Sequence, residues 1–196
     1  MSLKIILFLG SVREGRNCTR VGSFIKKKLE EKNHIVRVFD PLTMEFPMLK
    51  KPLHFHGPDQ TPPEWLVKYN AEIENADAYV VVSGEYNRCI PPALTNMMNH
   101  FPPKSYRCKP CSIVCYSAGT GAGSTAGMQL RYFLGELGMV TPGFIFGNAV
   151  VHTAYDAEGN PTPSNDTAIS KAARLISELE WYANALKNQT QKCGLP

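Results

Sequence analysis

The sequence predicts an α/β domain: a doubly wound, five-stranded parallel sheet with helices on both faces. Three observations predict it. The strand-like segments are nearly continuous apolar runs, as strands buried on both faces require. Segments with helical spacing separate them, the arrangement that joins parallel strands. At 196 residues the chain suits one hydrophobic core, and no linker or internal repeat divides it, so a single domain spanning 1–196 is expected.

Residues 4–9 (Lys-Ile-Ile-Leu-Phe-Leu) open the alternation as the first strand. After a glycine-bearing turn, Val21, Phe24, Ile25 and Leu29 fall at helical spacing, with Asn33 as a stop. Residues 35–39 form a second strand, and 41–61, with four prolines and little periodicity, read as a long loop near a ligand edge. Thr61-Pro62-Pro63-Glu64 then announces a helix, with Thr61 as cap and Glu64 as its capping-box partner. Leu66, Tyr69, Ile73 and Ala76 supply its buried face. Ala78 to Ser83 is the third strand, and Pro91-Pro92 opens a helix carrying Leu94, Met97 and Met98. Residues 112–117 are the fourth strand; Leu130, Phe133, Leu134 and Leu137 mark the next helix, stopped by Gly138. Val140 to Phe146 is a fifth strand, weakened by Pro142 and Gly143. Ile169, Ala172, Ile176, Leu179, Ala183 and Leu186 define a long final helix.

Composition narrows the function classes. Hydrophobic residues make up 43% and charged residues 19%, an ordinary globular mixture. No apolar run approaches the roughly 18–20 residues that span a bilayer. The opening segment has too short an apolar stretch for a signal peptide, so a cytoplasmic protein is expected. In that compartment the six cysteines stay reduced, and the sequons at Asn17, Asn165 and Asn188 carry no meaning. The net charge of +4 is modest, and Lys26-Lys27-Lys28 reads as a solvated helix face, so no nucleic-acid partner is expected. Cys108-Lys109-Pro110-Cys111 looks like a redox pair, but a strand follows it where such a motif needs a helix. Cys111 and Cys115 read as core residues, and no zinc-ligand spacing is present. His54 and His56, in the proline-rich loop, read as surface residues or as a substrate contact.

In doubly wound sheets ligands bind beyond the carboxyl ends of strands, which singles out three loops. The first runs Gly10-Ser11-Val12-Arg13-Glu14-Gly15-Arg16-Asn17-Cys18-Thr19-Arg20 into a helix. A helix N-terminus offers unpaired N–H groups to a phosphate; Ser11, Asn17 and Thr19 add neutral donors and Arg13 a charged fork. The Gly-Lys-Ser/Thr ending of a nucleotide P-loop is missing, which disfavours ATP hydrolysis. The bland alternative is a polar turn with surface arginines. In the second loop, Ser83 to Pro92, Tyr86 and Asn87 suit a flat heteroaromatic ring or an ordinary turn. The third, Ser117-Ala118-Gly119-Thr120-Gly121-Ala122-Gly123-Ser124, lets backbone N–H groups approach a ligand closely. Its match to a dinucleotide fingerprint over 121–126 is coincidental, because it follows the fourth strand and not the first.

Gly10-Ser11-Val12-Arg13, Gly84-Glu85-Tyr86-Asn87 and Ser117-Ala118-Gly119, in that order and spacing, resemble the NADPH-dependent FMN reductase family. These are the flavodoxin-like quinone, azo-dye and chromate reductases. The resemblance covers about residues 4–140. Members carry proline where this chain has Gly84, serine and asparagine at Arg16 and Cys18, and lysine and aspartate at Thr95 and His100. The resemblance implies a flavodoxin-like fold that binds FMN and takes hydride from NADPH or NADH. By it Ser11, Arg13, Asn17, Cys18 and Thr19 hold the phosphate, while Glu85, Tyr86, Asn87, Ser117, Ala118, Gly119 and Gly121 border the ring. It further implies a small-molecule acceptor (free flavin, quinone, azo compound or metal ion) and a homodimer or dimer of dimers, for which the Leu94–Phe101 stripe offers a patch. The cofactor carries such chemistry, so no catalytic acid, base or nucleophile is expected. Two rival readings stand beside it: a one-electron carrier of the flavodoxin type, and a flavin-dependent redox sensor that binds a protein partner.

Overall fold

The strands β1 (Lys4–Leu9), β2 (Ile35–Phe39), β3 (Ala78–Gly84), β4 (Cys111–Tyr116) and β5 (Ile145–Asn148) pair in parallel, in the order β2-β1-β3-β4-β5. That is the flavodoxin-like order, whose switch point lies between β1 and β3. The computed structural model describes residues 2–44 and 46–196; Met1 of the opening segment and Glu45 of the proline-rich loop lie outside the described residues. The helices are α1 (Cys18–Glu30), α2 (Glu64–Glu74), α3 (Pro92–Asn99), α4 (Pro103–Tyr106), α5 (Ser124–Glu136), α6 (Val151–Ala154) and α7 (Ala168–Cys193). Among the described residues, no helix is long and apolar enough to cross a membrane.

Strand alternation builds two cores. Ile5, Leu7 and Leu9 of β1, with Val80 and Val82 of β3, face α1 and α7. Ile6 and Phe8, with Tyr79 and Val81, face α2, α3 and α5. Both sides of β3 are therefore apolar, which explains its unbroken run, whereas the edge strand β2 buries only its last residue fully. Cys18, Cys111 and Cys115 are buried free thiols; burial pushes Cys115 up to about 12 and Cys111 higher still. Cys111 and Cys115 are thus inert core residues, as the sequence indicates, whereas burial of the Cys18 thiol departs from the phosphate-site expectation.

Five expectations need correction. The fifth strand does not run from Val140. Val140 makes one isolated bridge to Pro110, and the ladder resumes only at Ile145. Pro142 lacks a donor, and the Phe144 N–H turns to the Glu178 carboxylate (3.2 Å). Thr61 does not cap α2, because Pro63 occupies the cap position and no side chain bonds there. Ile169 is exposed, and Leu175 takes its place in the core. Leu94, Met97, Met98 and Phe101 are all core, so that stripe offers no surface for a dimer. The loop after β2 lies on α3, with the Asn96 side chain bonding Leu49 and Pro47, and none of its described residues lines the crevice at the switch point.

Candidate functional site

The loops after β1, β3 and β4 enclose a cleft of about 270 Å³. A larger hollow, about 500 Å³, lies beside Lys4, Ile35 and Ala76 at the amino ends of β1 and β2. Its walls are apolar and its Arg37 is already paired with Glu72 (2.7 Å), so convergent polar chemistry favours the smaller cleft.

The β1 loop is braced by an ion pair that motif reading missed. Arg16 Nη1 and Nη2 reach the two Asp40 oxygens (2.6 and 2.5 Å), and Nη1 also donates to the Ser11 carbonyl (2.6 Å). Asp40 follows β2, so the pair ties the loop to the neighbouring strand; its hydrogen bonds raise the guanidinium's pKa further. With the loop fixed, buried Ser11 hydrogen-bonds the Tyr86 hydroxyl. The Arg13 guanidinium lies 3.5 Å above the Tyr86 ring centroid, a cation–π contact across the cleft. Asn17 heads α1 and lines the cleft without capping the helix, and the first turn contains no acid. The N-terminal N–H groups and positive dipole end of α1 are thus left for an anion.

The β3 loop is a tight hairpin. Tyr86 and Cys89 exchange backbone hydrogen bonds (3.0 and 2.9 Å), with Asn87 and Arg88 at φ 50° and 68° between them. Successive positive φ values define a type I′ turn, which asparagine tolerates well. Asn87 consequently sits exposed at the tip, away from the cleft. Glu85 has a second role: its Oε2 accepts the N–H groups of Thr125 (3.0 Å) and Ala126 (3.1 Å), capping α5 from another loop. Glu85→Gln should cost about 1 kcal/mol in a denaturant melt, because the neutral amide caps less well against the dipole. An unchanged midpoint would remove the cap from the account.

In the β4 loop, Ser117 and Ala118 line the cleft, whereas Gly119 and Gly121 are exposed outside it. Gly123, at φ 75°, brings α5 against β4: a Cβ there would lie 2.7 Å from the Tyr116 carbonyl oxygen. Gly84 leaves room for the Tyr116 ring, 3.0 Å from where its Cβ would be. This is the physical setting of the glycine that replaces the family's proline. Gly84→Ala should cost about 1–2 kcal/mol through overpacking against Tyr116, read from thermal unfolding; no loss would show the ring free to move.

Of the residues anticipated, Ser11, Arg13, Asn17, Glu85, Tyr86, Ser117 and Ala118 meet around one cleft. Cys18 is buried with its thiol on the Ser11 carbonyl (3.7 Å), so only its backbone N–H remains for a ligand. Thr19 turns to the opposite side of α1, toward Leu7 and Val38. Gly84, Tyr116 and Val151 also line the cleft. Val151 follows β5 and carries no motif; Tyr116, the last residue of its strand, reads as plain core. Among the described residues, no group of three or more His, Cys, Asp or Glu could hold a metal.

The donor set fits a phosphorylated flavin. Asp40 holds Arg16 and α5 holds Glu85, so Arg13 and the α1 terminus, beside an aromatic wall, are the elements left open to an anion. Comparison with known proteins agrees. The family model described as NADPH-dependent FMN reductase matches residues 3–150. An NAD(P)H-dependent FMN reductase from Schizosaccharomyces pombe is 30% identical over 138 residues, 69% of this chain and 68% of that protein. FerB, a flavoenzyme NAD(P)H:(acceptor) oxidoreductase from Paracoccus denitrificans, superposes with a TM-score of 0.69 at 21% identity, covering 93% of this chain and 98% of FerB. An NADH:FMN oxidoreductase in its apo form gives a TM-score of 0.67 at 14% identity, over 94% and 90%. The last two likenesses concern the fold.

Proposed function

The chain belongs to the NADPH-dependent FMN reductase family, and from that premise we propose that its β1–β3–β4 cleft holds FMN and serves reduction of a small acceptor by NADPH or NADH. The observation that carries the placement is the contrast between two helix ends. The α5 terminus is closed by Glu85, while the first turn of α1 carries no acid, has no side-chain cap and shares its cleft with Arg13 and Ser11. One terminal phosphate belongs at the second of these.

FMN, when bound, supplies hydride transfer from reduced nicotinamide to acceptor. The protein's residues bind and orient. Arg13 and the α1 N–H groups hold the phosphate; Ser11 donates to it once released from Tyr86. Tyr86, Ser117 and Ala118 border the ring, and the hairpin turn fixes the Tyr86 backbone. Free flavin, a quinone, an azo compound or a metal ion are the acceptors proposed, since the flavin supplies the chemistry and sets little demand on the acceptor's shape.

Heat release of the cofactor from purified protein, followed by mass determination, is expected to yield FMN. The α1 terminus directly follows the loop and suits one terminal phosphate. Recovery of FAD, or of no flavin after reconstitution, would refute the placement. Anaerobic NADPH should then bleach the flavin absorbance.

A further inference from the structure

We propose that a second cavity, walled by Trp65 and His100 and rimmed by Lys50 and Lys51, is a ligand site for a planar hydroxyaromatic carboxylate. It measures about 310 Å³ and shares no lining residue with the flavin cleft, a size at the lower end of small-molecule pockets.

The segment after β2 builds it. Asn96 accepts the Leu49 N–H (2.8 Å) and donates to the Pro47 carbonyl (2.9 Å), and the His100 carbonyl accepts the Leu53 N–H (2.9 Å). These bonds hold the loop over α2 and α3. Phe46 fixes the wall from behind, with ring centroids 5.7 Å from Trp65 and 5.6 Å from His100. Leu66, Met48 and Pro63 complete an apolar lining suited to a flat ring.

Two features select the ligand's polar groups. His100 is 3% exposed, and its Nδ1–H donates to the Asn96 carbonyl (2.8 Å). That fixes the tautomer and leaves Nε2 as a lone-pair acceptor without a protein partner among the described residues. Burial lowers the imidazole's pKa, so it stays neutral at pH 7 and calls for a donor, such as a ring hydroxyl. At the rim, Lys51 reaches only the uncharged Gln60 side chain, and Lys50 forms no ion pair among the described residues. No carboxylate among the described residues lines the cavity, so an anionic ligand group meets uncompensated positive charge.

The test is calorimetric titration of the FMN-loaded protein with 6-hydroxy-2-naphthoate, 2-naphthoate and 2-naphthol, while flavin absorbance is monitored. The hydroxy acid should bind most tightly, roughly 2- to 10-fold better than 2-naphthoate, as one net hydrogen bond provides. The flavin spectrum should not change. The double variant K50Q/K51Q, altered only at the rim, should weaken both acids roughly 2- to 10-fold and leave 2-naphthol unaffected. Three results would each overturn the proposal: no binding of the hydroxy acid at millimolar concentration, binding that shifts the flavin spectrum, or equal affinity in K50Q/K51Q.

Discussion

Asp40→Asn is expected to destabilise the protein by about 3 kcal/mol, the low end for breaking a buried ion pair because both side chains keep some exposure to solvent. The Arg16 and Asp40 side chains are 8% and 13% exposed. Losing the carboxylate charge leaves a guanidinium that cannot deprotonate, held between the β1 loop and the end of β2. For a domain of this size the melting temperature should fall by roughly 6–12 °C. The double replacement Arg16→Met with Asp40→Leu separates the causes. It removes both charges together, so most of the loss should be recovered. If the single changes add independently, the pair is not coupled and the brace is an ordinary surface contact. The same variants bear on function: without the brace Ser11 and Arg13 lose their anchor, and FMN affinity should fall in Asp40→Asn although Asp40 itself does not line the cleft.

The brace also shows where the sequence stops being readable. The five strands and their order of use follow from hydrophobic period, because Leu7 and Val82 have no alternative to burial on one face, nor Phe8 and Val81 on the other. The failures are local and share one cause. At Val140–Phe144 and at Thr61, a distant partner or a proline decides what local pattern suggests otherwise. Site residues divide in the same way. Those on the cleft-facing side of each turn, such as Ser11, Arg13 and Tyr86, carry the motif. Glu85 carries it too, but spends its charge on α5, a contact 40 residues away that no spacing encodes. Cys18 and Thr19 belong to the motif by position, yet the helical turn aims one inward and the other away from the cleft. Asn87 is held outward by the positive φ that suits it to the turn.

Arg13→Ala should weaken FMN binding by about 1.5–3 kcal/mol, the usual size for charged hydrogen bonds, or roughly tenfold to a hundredfold. Two contacts are at stake. Without ligand, the guanidinium stacks on Tyr86 at 3.5 Å, and an exposed cation–π contact is worth only about 0.5–1 kcal/mol. A phosphate dianion against a bidentate fork at the end of α1 outweighs that, so Arg13 should leave the tyrosine when FMN binds. Riboflavin has no phosphate to compensate for the lost stacking. It should bind the alanine variant as well as wild type, or slightly better, because the Tyr86 face is then free. Arg13→Lys should fall between, keeping charge but losing the planar fork. Added salt should weaken FMN binding to wild type more than to Arg13→Ala, since the screened interaction is the one removed. Fluorescence titration of both flavins into the three proteins measures all of this. Equal FMN affinity in wild type and Arg13→Ala would remove Arg13 from the phosphate site, and a parallel loss of riboflavin binding would reassign it to the ring.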